Sequence, residues 1–262
     1  MLTKLLKKDL KADFARPLIL FALAVVASLI SRGMAELGKT IAFFRIANIV
    51  IQSIVYTLIG NVIVQSFIMP LVNFGKTMYG DESYLTHTLP VKKSEIILSK
   101  TISASIVMTC SLFVSLFCVF ILAFSKTNVE LIKGFIATVF GGYSTIGIIT
   151  IAVFLIVFEM VFYYMIIQSA IILCNRKNEK RVVWAIIYII IEEFIMVFVS
   201  LAAISVIFAC FGELNSLFSE TPAFSPELLL TSLCVSMVLY VIAIVLVYFV
   251  NIKLLKKGVN VD

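Results

Sequence analysis

One histidine, His87, stands in the 262 residues, and that scarcity excludes a metal or catalytic centre built from several histidines. The five cysteines, Cys110, Cys118, Cys174, Cys210 and Cys234, form no CxxC pair and fall within or at the ends of apolar runs. They read as small apolar packing residues, not as ligands. No GxxxxGK[ST] loop occurs, so the chain lacks that cradle for a nucleoside triphosphate, and any ATP hydrolysis would have to come from a separate chain. Charge is scarce as well: Asp, Glu, Lys and Arg make up 14% of the residues, against about a quarter in soluble domains. Neither an internal repeat nor a low-complexity tract is apparent.

What fills the chain is apolar. Hydrophobic residues make up 62% and the mean hydropathy is +1.13. A water-soluble fold of this length cannot hide so much apolar surface, so lipid is the expected solvent. Six apolar runs stand out, at about 17–31, 49–74, 96–124, 143–173, 182–211 and 228–251. A bilayer core of about 30 Å takes about 20 helical residues. The first run is short, but Arg16 and Arg32 can snorkel at its two ends; several others have length to spare for tilt. The expectation is an all-α integral membrane protein, one transmembrane domain over residues 1–262. Met1–Arg16 does not read as a cleavable signal, being long, charged and without a small-residue cleavage site.

Lysine and arginine are unevenly shared between the loops. Lys4, Lys7, Lys8, Lys11 and Arg16 precede the first run; Lys76, Lys92, Lys93 and Lys100 lie between the second and third. Arg176, Lys177, Lys180 and Arg181 lie between the fourth and fifth, and Lys253, Lys256 and Lys257 follow the sixth. That places sixteen on one side against five (Arg32, Lys39, Arg45, Lys126, Lys133) on the other. The positive-inside rule then puts both termini in the cytoplasm. The net charge of +6 is read as topology, with no nucleic-acid partner. Residues 1–16 are amphipathic: Leu2, Leu5, Leu6, Leu10 and Phe14 recur at helical spacing with lysines between, which predicts an interfacial elbow helix before Pro17. Whether it is only a basic anchor or also touches a cytoplasmic partner stays open. On the outer side, 129–140 and 212–227 are expected to hold short interfacial or re-entrant helices.

The inner loop at 76–95 carries the most information. Asp81 or Ser83 can cap a short helix, Pro90 ends it, and Ser94 can cap the third span. Tyr84, Leu85 and Leu89 offer an apolar patch that either docks another protein or packs back on the bundle. The run Tyr-Leu-Thr-His-Thr-Leu-Pro-Val at 84–91, followed by Ile-Leu-Ser-Lys at 97–100, resembles permeases of the type-2 ABC exporter class. The resemblance covers the whole chain in architecture and about twenty residues in motif. It implies a coupling helix, with Asp81, Glu82, Ser83, Tyr84, Leu85, Thr86, His87, Thr88 and Leu89 docking in a cleft of a separate ATPase subunit. It also implies ATP and Mg on that ATPase, no cofactor in this chain, and a dimer with a second copy or a sister permease. The implied setting is the plasma membrane, with export of an amphipathic substrate; a peptide or antimicrobial is preferred.

Polar residues inside the spans are the remaining candidates. Glu159, Glu192 and Glu193 lie at membrane depth, where charge is costly and commonly functional. They line a cavity that attracts cationic groups, or are protonated and hydrogen-bonded to neighbouring helices, or are carried by the fifth span to a wet inter-subunit face. Ser53, Thr57, Asn61 and Gln65, four apart on one helix face, line either a pathway or a helix interface. An intramembrane protease using Glu192–Glu193 would need a following arginine and span histidines, and 194–199 holds none. A proton-coupled carrier using that pair, or a non-transporting immunity or sensor subunit that binds a peptide, remains as an alternative.

Overall fold

Helices account for all the regular structure in the described residues of the computed structural model, which are 2–80, 82–88, 91–124, 126–141, 143–175, 181–213 and 224–256. In chain order they are α1 (Leu2–Phe14), α2 (Pro17–Leu37), α3 (Ala42–Tyr79), α4 (Ser83–Thr88), α5 (Lys93–Ala123), α6 (Lys126–Phe140), α7 (Thr145–Cys174), α8 (Arg181–Cys210) and α9 (Pro226–Lys256). Six of these, α2, α3, α5, α7, α8 and α9, are long and apolar enough to cross a membrane, which is the pattern of a multi-pass membrane protein. Their outer faces carry Leu18, Phe43, Ile46, Phe198, Leu246 and Phe249, all more than half exposed, as a lipid-solvated surface requires.

Each predicted apolar run lies within one of these helices to within a few residues at the ends, but α2, α3 and α9 run well past theirs, α9 as far as Lys256. α2 continues to Leu37, where the guanidinium of Arg32 lies 3.6 Å from Glu36 and Glu36 also pairs with Lys39. α3 has 38 residues, about 57 Å of helix, and takes in Arg45 and Lys76 near its ends. Pro70 sits buried within α3; lacking an N–H, it cannot bond the carbonyl of Ser66, yet the helix continues through it.

By its internal packing the chain divides into two units, 1–128 and 129–260. In the first, α2 and α3 pack along each other around Phe21, Ala24, Val55, Ile59 and Val62, and α5 adds Cys118. Buried serines at 28, 31, 66, 99, 103, 111 and 115 let these helices approach closely. One of them, Ser31, donates to Asn48 Oδ1 across the α2–α3 contact at 3.0 Å. α1 lies along α5 and touches α3.

In the second unit α7 packs along α9, with α8 beside them, around Phe162, Ile166 and Ala243. The expected outer helix over 129–140 is present as the end of α6. It stops at Gly141, whose φ of +57° and close approach to Pro226, 2.8 Å from where a Cβ would stand, admit no side chain without a shift. Of the expected 212–227 element, residues 214–223 lie outside the described residues. Ser225 then caps α9, its hydroxyl accepting from the Leu228 N–H at 3.3 Å with Pro226 as the first helical residue.

Candidate functional site

Between the two longest helices of the first unit, α3 and α5, the chain makes one short turn of helix, α4, which packs on α3. The Gly80 N–H donates to Lys76 O at 3.1 Å and the Ser83 N–H to Gly80 O at 2.9 Å, which closes α3 and starts α4. Ser83 and Thr86 are buried, so α4 turns its small hydroxyl residues to the bundle; Tyr84 is 75% exposed, with Glu82 and Thr88 also outward. Glu82 faces Lys8 of α1 at 3.9 Å, an exposed pair of small energetic weight. Asp81 and Leu89 lie outside the described residues, as do the side chains of Leu85 and His87. The expected cap by Ser94 is not what starts α5: that helix begins at Lys93, with Lys92 at the cap position and no side-chain cap there.

The best-organised polar site is one that sequence reasoning missed. Asp9 and Asp13 of α1 are buried against α5 and α3. Ser99 Oγ donates to Asp9 Oδ2 at 2.6 Å, and Lys100 Nζ meets Asp9 Oδ1 at 3.3 Å. One turn on, Ser103 Oγ donates to Asp13 Oδ2 at 2.6 Å and Asn73 Nδ2 to Asp13 Oδ1 at 2.8 Å. Burial pushes the Asp13 carboxyl above the usual carboxylate range. The hydrogen bonds from Ser103 and Asn73 and the Lys100 charge oppose that shift, and the Asp9 charge adds to it. Lys100, counted above among the loop cations, is therefore a buried residue of α5 with its charge paired inside the protein. The signal was available: at 100° per residue, Asp9 and Asp13 fall within the arc of Leu2, Leu5 and Leu6. The stripe faces the bundle and the lysines face out.

The α3 ladder opens outward from its unit. Ser53, Thr57 and Asn61 are exposed and Gln65 is half-buried. Two hydroxyls are satisfied within the helix, Ser53 Oγ donating to Ile49 O and Thr57 Oγ1 to Ser53 O, both at 3.0 Å. The amides of Asn61 and Gln65 have no such local acceptor; on a membrane-depth surface they need a covering partner or water.

The adjacent glutamates of α8 turn to different neighbours. Successive helical residues point about 100° apart. Glu192 turns to α7, where Ser169 Oγ lies 2.7 Å and 2.8 Å from its two oxygens and 2.7 Å from Ile166 O. One hydroxyl proton serves only one of these acceptors at a time. Glu193 instead lines a cavity of about 130 Å³ with Phe162, Tyr163, Ser200, Ser236 and Tyr240. Glu159 lies near enough that its charge acts on Glu193, Tyr163 and Tyr240. Nearer the end of α9, Asn251 Nδ2 reaches Met165 O at 3.3 Å, in a buried contact with Gln168. Among the described residues no three His, Cys, Asp or Glu side chains gather to hold a metal ion.

No protein-family model matches this chain, and neither a curated protein nor a solved structure does so.

Proposed function

We propose that the chain is the membrane-spanning permease of an ATP-driven exporter of the type-2 ABC class, set in the plasma membrane with both termini in the cytoplasm. Hydrolysis of ATP, with its Mg, belongs to a separate nucleotide-binding subunit, and two permeases, identical or sister chains, make the pathway. The observation that carries this reading is the Tyr84–Val91 motif, whose first five residues, Tyr84–Thr88, lie on a short helix that packs on α3 with Ser83 and Thr86 buried and Tyr84 outward. A free tyrosine ring on a loop that the charge bias assigns to the cytoplasm is the chemistry a docking cleft takes up. ATP then acts by binding two states of the assembly unequally, and the short helix passes the difference to α3 and α5. The amides of Asn61 and Gln65 on α3 fit a pathway wall or a permease–permease interface, and the export of an amphipathic, peptide-like substrate fits the acids of α7 and α8.

The test is co-purification of the chain with candidate ATPases, wild type against a Tyr84→Ala/Leu85→Ala/Leu89→Ala loop. Retention of an ATPase by the wild type and its loss with the altered loop supports the reading. Equal retention, or none with any candidate, overturns the docking assignment and moves a carrier or peptide-binding subunit ahead.

A further inference from the structure

Three features of the second unit meet at one place. The cavity lined by Glu193, Tyr163, Tyr240, Ser200 and Ser236 lies at mid-membrane depth: Glu193 is twelve residues past Arg181, about 18 Å along α8. Glu159 adds a second carboxylate beside it. Among the described residues neither Glu159 nor Glu193 has a hydrogen-bond or ion-pair partner, and α7, α8 and α9 hold lysine or arginine only at their ends. A mostly apolar cleft of about 310 Å³, lined also by Glu192, joins the cavity, sharing Phe162, Met196, Val199 and Leu239 as a common wall and running on past Ile242, Leu246 and Val250.

We infer that this bipartite site binds an amphipathic organic cation, its ammonium or guanidinium head between Glu159 and Glu193 and its apolar stem in the cleft. The size agrees: about 130 Å³ is several times the roughly 10–15 Å³ that one water needs, which is room for a small head group. The Phe162, Tyr163 and Tyr240 rings offer the π-faces that attract such a head. A cation also supplies the countercharge that two carboxylates at this depth otherwise lack. The inference rests on the permease reading for its role in transport, but its test contains no ATPase, so either can fail alone.

The experiment uses the full chain in phosphatidylcholine nanodiscs with a dansyl-labelled dodecylammonium probe, read as energy transfer from Trp184, the one tryptophan. We expect saturable transfer that the matching neutral dansyl alcohol does not compete. Glu159→Gln/Glu193→Gln should weaken binding about tenfold or more, as loss of a charged partner does. Ser236→Phe, which fills the cavity and keeps both acids, should weaken it as much and decides the matter if the double variant misfolds. Competition by a short lysine-bearing amphipathic peptide points to peptide cargo, and by an alkylamine alone to a lipid-like amine; either supports the site. Equal binding of the neutral probe, or wild-type affinity in both altered chains, overturns it.

Discussion

The two units handle buried acid in opposite ways. In 1–128, Asp9 and Asp13 are each held by two partners, and every partner comes from a different helix than the acid. In 129–260, Glu192 has one hydroxyl shared with a backbone carbonyl, and Glu159 and Glu193 have only each other's repulsion and two tyrosines nearby. The first arrangement spends its polar groups on fixing three helices to one another. The second leaves polar capacity unused beside a cavity. A satisfied network holds structure together, whereas an unsatisfied one at membrane depth is the signature of a place where something else binds.

Breaking that comparison begins with Lys100. Lys100→Met strands Asp9 in the interior and should cost about 3 kcal/mol, measured by unfolding in mixed micelles; Asp9→Asn on top of it should recover part of the loss. Asp13 gives the same cluster a pH dependence. Its carboxyl titrates above the ordinary 3.8, so between 3.8 and its folded value the folded chain binds more protons than the unfolded one. Its contribution to stability is greatest below 3.8 and falls as pH rises through that window. The expected result is that Asp13→Asn gains on the wild type across that rise, and a parallel pair of curves would refute it. In the second unit the effects shrink. Asn251→Ala removes the tie from α9 to Met165 O and should cost about 1 kcal/mol in the same assay. Glu159→Gln and Glu193→Gln, having no partner to lose, should stay within about 0.5 kcal/mol of wild type. A loss as large as that of Lys100→Met would mean the two units treat their acids alike.

Much of this fold could be read from the residues because lipid imposes a simple rule: a run of some 20 apolar residues is one crossing helix. The rule says little about where a helix stops. α3 carries on through Arg45 and Lys76 because its ends are free to pass beyond the hydrocarbon, so charge there terminates nothing. The cluster around Asp9 escaped for another reason. Asp9 and Asp13 are spaced by four on α1, as are Ser99 and Ser103 on α5, but each pair lies in a segment with its own sufficient explanation, a basic anchor and a span. Only their juxtaposition gives the pattern meaning. The division of labour between Glu192 and Glu193 was likewise hidden: adjacency in sequence suggested a pair, and helical geometry sends them to different neighbours.

The Asp9–Ser99 and Asp13–Ser103 bonds each span 90 residues of chain. A nascent chain grows by about 5–20 residues per second, so α1 leaves the ribosome about 5–20 s before its partners on α5 exist. During that interval Asp9 has neither of its partners and Asp13 can meet only Asn73 of α3, so the headgroup layer or a chaperone must hold the rest of the stripe. The arrival of α5 is thus the event that completes the hold on the N-terminus, and a chain stopped before Ser99 would leave Asp9 with neither partner and Asp13 with Asn73 alone.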